Sequence, residues 1–135
     1  MAFVIDASLV LAWQFKDEGN AFADATIERL RDEVAVAPAI WPIEVANAFV
    51  VGVRRGRLSS TDAAAPISMV LDLPITVRQT DWEGTLLSVL DLALTLNLSA
   101  YDASYIQLAS RERLTLATLD DRLKTAAGRA GVALL

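Results

Sequence analysis

Apolar residues in this chain fall into short unbroken runs that alternate with longer stretches where they recur every three or four positions. The run AFVI (residues 2–5) has the length of a buried strand, and after Asp6 the stretch ASLVLAWQF is apolar nearly all round, as a buried helix is. Beyond KDEGN (16–20), Ala23, Ile27, Leu30 and Val34 recur at spacings of four, three and four, predicting a helix with one apolar face. VAVA (34–37) predicts a second buried strand, closed by Pro38. IWPIEVANAFVVGVRRG predicts a helix with Pro42 in its first turn and Gly56 at its end. In SSTDAAAPISMVLDLP a Ser59-x-x-Asp62 capping box predicts a helix that is interrupted or bent near Pro66. ITV (75–77) is a weak third strand, DWEGTLLSVLDLALTLN a long helix, and SAYDASYIQLASRE a helix opening at Ser99. LTLAT (114–118) predicts a fourth strand, DDRLKTAAGRAG the last helix and VALL (132–135) a closing strand.

Strands thus alternate with helices from end to end, and most strands are apolar without alternation. Both features belong to a parallel sheet covered on both faces. The expected fold is α/β, with four or five short parallel strands flanked by about seven helices, and the 135 residues form one domain. Asp-Ala-Ser occurs twice, at 6–8 and at 102–104, but once at a strand end and once at a helix start, so the recurrence marks no duplication.

Composition narrows the chemistry. The chain has no cysteine and no histidine, which excludes disulfides, thiolate or imidazole zinc sites, a cysteine nucleophile and a Ser-His-Asp triad. Acid–base work is left to carboxylates, lysine, tyrosine or metal-activated water. At 54% apolar and 21% charged, the chain has apolar surface to spare, which predicts a homodimer or a bound protein. No apolar stretch is long enough for a membrane span, and the amino terminus does not read as a signal peptide, so a cytoplasmic location is expected. The net charge of −5 opposes general phosphate binding, although carboxylates gathered around a divalent cation have their local sign reversed.

Four acids fall where a strand ends or a helix begins. Asp6 ends the first strand, at the edge where open α/β sheets bind ligands, and it also suits an N-cap. Asp120 repeats that position after LTLAT, and the coincidence favours a site. Asp121 beside it makes a Thr118-x-x-Asp121 capping box, which assigns Asp120 to chemistry and Asp121 mainly to the helix start. Asp102 completes a Ser99-x-x-Asp102 capping box, so a cap competes with a site there too. Glu44 complements the dipole of its helix, yet that helix is otherwise apolar, and a carboxylate facing a packed interior needs a partner or a cation. Asn47 extends the same polar stripe. Oxygen-only clusters of this kind suit Mg²⁺ or Mn²⁺.

The ordered segments FVIDASLVLAW, PAIWPIEVANAF…RRGRL, AYDASYIQLA and LATLDDRL, spanning the chain, resemble the PIN-domain ribonuclease toxins of bacterial type II toxin–antitoxin modules, the VapC family. The resemblance implies that Asp6, Glu44, Asp102 and Asp120 bind a catalytic Mg²⁺, that Ser8 and Thr118 support the site, and that a cognate antitoxin holds the enzyme in check. Asp121 is an additional acid that leaves the last ligand ambiguous.

Without histidine, RNA cleavage through an activated 2′-hydroxyl is disfavoured and hydrolysis by metal-activated water is preferred. Arg54, Arg55 and Arg57 are candidate RNA contacts. Arg55 lies eleven residues after Glu44 and shares its helix face, whereas all three arginines also complement a helix C-terminus. Trp13, Trp41 and Tyr101 are possible base-stacking residues, against the ordinary reading of aromatics in apolar helices as core. A phosphotransfer enzyme is disfavoured, because position 8 is Ser and the only lysines are Lys16 and Lys124. A catalytically silent PIN-like module that binds protein or RNA is the alternative.

Overall fold

The computed structural model describes residues 1–15 and 20–135; Lys16 and most of KDEGN lie outside the described residues. The elements run β1 (Ala2–Ile5), α1 (Ala7–Gln14), α2 (Ala21–Arg29), β2 (Val34–Ala37), α3 (Trp41–Arg54), α4 (Ala64–Leu71), β3 (Ile75–Val77), α5 (Trp82–Leu96), α6 (Ala100–Glu112), β4 (Thr115–Ala117) and α7 (Asp121–Arg129). The sheet has strand order β3-β2-β1-β4, with every pairing parallel. Phe3, Val4 and Ile5 of β1 are all fully buried, and because successive strand residues face opposite sides, helices cover both faces of the sheet centre. This accounts for the unbroken apolar runs.

Three local expectations need correction. The apolar row of α2 is Ala23, Thr26 and Leu30 rather than one reaching Val34: the helix ends at Arg29, and Val34 is exposed at the start of β2. Thr26 is tolerated inside because its hydroxyl donates to the Phe22 carbonyl at 2.8 Å. Pro66 does not break a helix. Ser59 accepts from the Asp62 amide at 2.9 Å, but residues 59–63 form a turn, and α4 starts late enough that Pro66 sits in its first turn. A proline there forfeits no helical hydrogen bond. Finally, VALL adds no fifth strand and instead makes one isolated parallel bridge, Leu116 to Leu134.

The topology positions the site. From β1 the chain steps to β2 and β3 on one side, then crosses back to place β4 on the other side of β1. The reversal of strand order falls between the carboxyl ends of β1 and β4, where a crevice opens in sheets of this kind. The Asp6 amide donates to the Ala117 carbonyl at 3.3 Å, tying those two strand ends together.

Candidate active site

Asp6, Glu44, Asp102 and Asp120, supplied by β1, α3, α6 and the β4–α7 junction, line one cleft of about 710 Å³, together with Ser8, Asn47, Arg55, Arg57, Tyr101 and Tyr105. Asp6 lies deepest, 5% exposed. One of its oxygens accepts from the Ser8 amide at 3.1 Å and the Ser8 hydroxyl at 2.5 Å, so it does cap α1. The other accepts from the Thr118 hydroxyl. Each hydroxyl also serves as an acceptor: Ser8 receives the Leu119 amide at 3.0 Å, and Thr118 receives the Asp120 amide at 3.0 Å. Ser8 and Thr118 therefore link the Asp6 carboxylate to the backbone that carries Asp120.

Burial raises the Asp6 carboxyl to about 6, helped by repulsion from Asp120 and opposed by the Ser8 and Thr118 hydrogen bonds. Glu44 is also raised, first by burial and then by Asp102, against the hydrogen bond from Tyr105. Asp102 is raised by burial and by Asp120, while Arg122 and Ser99 pull it down. Burial is thus the first cause in each case, and repulsion between acids that share the cleft adds to it.

The capping readings divide differently from the expectation. Asp120 is itself the N-cap of α7, accepting from the Arg122 and Leu123 amides at 2.9 and 3.1 Å while facing the cleft. The Thr118-x-x-Asp121 box does not form: Thr118 is turned to Asp6, and the Asp121 side chain is 97% exposed beside Lys124. Asp102 begins α6 under the Ser99 cap, whose hydroxyl accepts the Asp102 amide at 3.1 Å. Capping and site roles coincide because both are served at the amino ends of helices.

The basic and aromatic candidates separate. Arg55 and Arg57 line the cleft, and the Arg57 guanidinium lies 4.3 Å over the Phe15 ring. Arg54 borders a different hollow, with Phe49, Val53 and Ser60. Trp13 donates to the Ala23 carbonyl at 2.6 Å and Trp41 is buried, so both are core residues. Tyr101 stands exposed on the cleft rim.

A PIN-domain family model matches residues 3–129. The chain belongs to the PIN-domain family. Ribonuclease VapC3 of Pyrobaculum aerophilum is 27% identical over 123 residues, covering 91% of this chain and 92% of that protein. Among solved structures, PAE2754 from Pyrobaculum aerophilum is similar, with a TM-score of 0.68 and 27% identity over 93% of this chain and 87% of that one. VapBC2 from Rickettsia felis, solved bound to a DNA fragment from their promoter, has a TM-score of 0.69 over 100% of this chain and 98% of that chain. At 13% identity it shows likeness of fold.

Tyr105 is the residue of this PIN domain that the sequence reading misses. Its buried hydroxyl donates to Glu44 Oε1 across 61 positions of sequence. Burial, followed by the charges of Glu44, Asp6 and Asp102, holds its ionisation far above the usual range, so it stays a neutral donor among acids. The available signal was its spacing: three residues after Asp102 on one helix, it shares that acid's face.

Chemically, the acids on the cleft offer an all-oxygen donor set, the kind that suits a hard divalent cation. The acids stand apart around the cleft: among the described residues, no three close on a single point as a ready-made cage.

Proposed function

We propose that this single PIN domain is a divalent-metal-dependent endoribonuclease, the toxin of a type II toxin–antitoxin module, hydrolysing RNA phosphodiester bonds in the cytoplasm. The observation that carries the reading is the gathering of four carboxylates from four separate elements on one cleft of a PIN-family chain. The 27% identity to Ribonuclease VapC3 along nearly the whole length supports the choice of RNA. The VapBC2 complex, whose fold this chain shares, supports an antitoxin partner. Exposed apolar residues along α5, including Trp82, Leu86, Leu90 and Leu94, support a second copy of the chain as a further partner.

In this reading Asp6, Asp102, Asp120 and Glu44 would hold Mg²⁺, with Mn²⁺ as a substitute. Metal bound there would lower the pKa of water and offset charge developing on the phosphoryl oxygens. Ser8 and Thr118 fix both oxygens of Asp6, so that carboxylate cannot turn as substrate enters. Glu44, partly buried and raised, serves as a further ligand or orients the attacking water. Asn47 and Arg55, on the same face of α3, reach the flanking phosphates, with Arg57 beside them. Asp121 supports the start of α7 rather than the metal. The products are 5′-phosphate and 3′-hydroxyl ends, because the chain has no histidine and hydrolysis by metal-activated water is the preferred route.

End-labelled cellular RNA incubated with the purified protein, with Mg²⁺ or EDTA and beside Asp6→Asn, tests this. Cleavage is expected only for the parent with Mg²⁺. Activity surviving in EDTA or in Asp6→Asn, or 2′,3′-cyclic ends, overturns the mechanism; silence toward every RNA moves the chain to the binding-module reading. Expression in a bacterial host should likewise arrest growth until the small protein encoded alongside is supplied.

A further inference from the structure

We infer that Tyr105 is a positioning residue of the acid site, its hydroxyl fixing the Glu44 carboxylate for cation binding; the inference rests on the metal-dependent reading of the cleft. Tyr105 follows Asp102 by three residues on α6, so one turn of helix presents an acid and a phenol to the same space. The phenol crosses to α3 and donates to Glu44 Oε1, leaving Oε2 as the oxygen available to other partners. Tyr105 as a whole is 1% exposed, so its hydroxyl is held more tightly than that of a surface side chain. A long Glu side chain loses considerable rotamer freedom when it is ordered, and a rigid donor removes that freedom before a ligand arrives.

The choice of residue type also has a reason. Asp6, Glu44 and Asp102 all act on Tyr105 electrostatically, so its hydroxyl stands where three like charges crowd. A lysine or arginine there would neutralise the acids and compete with a cation. A phenol donates a proton without adding charge, so it steadies Glu44 and leaves the negative potential intact. Ser8 and Thr118 act on Asp6 by the same principle, with neutral hydroxyls as donors. Every side-chain donor to Asp6 and Glu44 described above is thus a hydroxyl.

The test is a Mn²⁺ titration by calorimetry on the RNA-free protein, comparing parent, Tyr105→Phe, Glu44→Gln, the double variant and Asp6→Asn. Losing an outer hydrogen-bond partner of a ligand weakens metal binding roughly 10–100-fold. Tyr105→Phe and Glu44→Gln should each weaken Mn²⁺ binding by about tenfold or more, and the double variant no further than the weaker single variant, because one side chain acts through the other. The Mn²⁺ concentration for half-maximal RNA cleavage should rise by the same factor in Tyr105→Phe while KM for RNA holds. Parent-like Mn²⁺ affinity in Tyr105→Phe, or factors that multiply in the double variant, overturns the inference and leaves the nuclease reading standing. A parent that binds no Mn²⁺, or an Asp6→Asn variant that binds like the parent, overturns both. If Tyr105→Phe folds poorly, Glu44→Gln, which retains an acceptor for the phenol, carries the comparison: parent-like affinity there defeats the role assigned to the pair.

Discussion

At the scale of single residues, the acid site is built against stability. Asp6 is almost fully buried, and burial raises its carboxyl from 3.8 to about 6. Between those values the folded protein holds a proton that the unfolded chain has released. The stability linked to this group is therefore fully present below about pH 4, falls as pH rises through about 6 and stays low beyond. Glu44 and Asp102 are raised by burial as well and act in the same direction. The prediction concerns metal-free protein in EDTA: Asp6→Asn should be more stable than the parent at pH 8, by on the order of 3 kcal/mol at about 1.4 kcal/mol per pKa unit. That advantage should vanish by about pH 3, where the parent's Asp6 is largely protonated in both states. Urea unfolding of the two proteins at both pH values measures it. A variant less stable than the parent at pH 8 would show that the Ser8 and Thr118 hydrogen bonds outweigh the burial of charge.

At the scale of elements, α3 shows how one helix divides its labour. Trp41, Val45, Phe49 and Gly52 form its buried row, and Glu44, Asn47, Ala48, Val51 and Arg55 turn toward the cleft. Arg54 and Arg55 differ by one position, about 100° around the axis, and so face different hollows. In an Asp6→Asn background, where RNA remains intact, Arg55→Ala should weaken single-stranded RNA binding several-fold and lower the salt dependence by somewhat less than one charge. Arg54→Ala should change neither. Fluorescence anisotropy at two or three salt concentrations reads both, and equal losses in the two variants would mean that the RNA path does not follow the cleft.

At the scale of the whole molecule, two surfaces stand out: an acidic cleft at the strand-order reversal and an uncovered apolar row on α5. Among the described residues no single helix is long and apolar enough to cross a membrane. In the proposed reading a second copy of the chain covers the row. Leu94 is 76% exposed and Trp82 71%, and burying such side chains contributes about 1.5–3 kcal/mol each. Sedimentation should give twice the chain mass of 14.6 kDa for the parent, and Leu94→Glu should shift the protein toward monomer while its far-UV circular dichroism stays that of the parent. A monomeric parent at ~100 µM removes the dimer from the proposal, since an interface of ordinary size binds more tightly than that.

The succession of strands and helices is legible in the sequence because buried parallel strands must be apolar throughout and amphipathic helices must repeat every three or four residues. Asp6, Glu44, Asp102 and Asp120 are legible for a related reason: they stand at strand ends and helix starts, which topology carries to one edge. Tertiary structure alone decides which competing roles those positions keep. It makes Asp120 rather than Asp121 face the cleft, turns Arg54 away while Arg55 faces in, leaves VALL as a single bridge, and brings Tyr105 against Glu44 from 61 positions away. Local propensity and periodicity act over a turn or two of chain. Contacts between elements depend on how the sheet stacks its helices, and the sequence encodes those only through the packing of the whole.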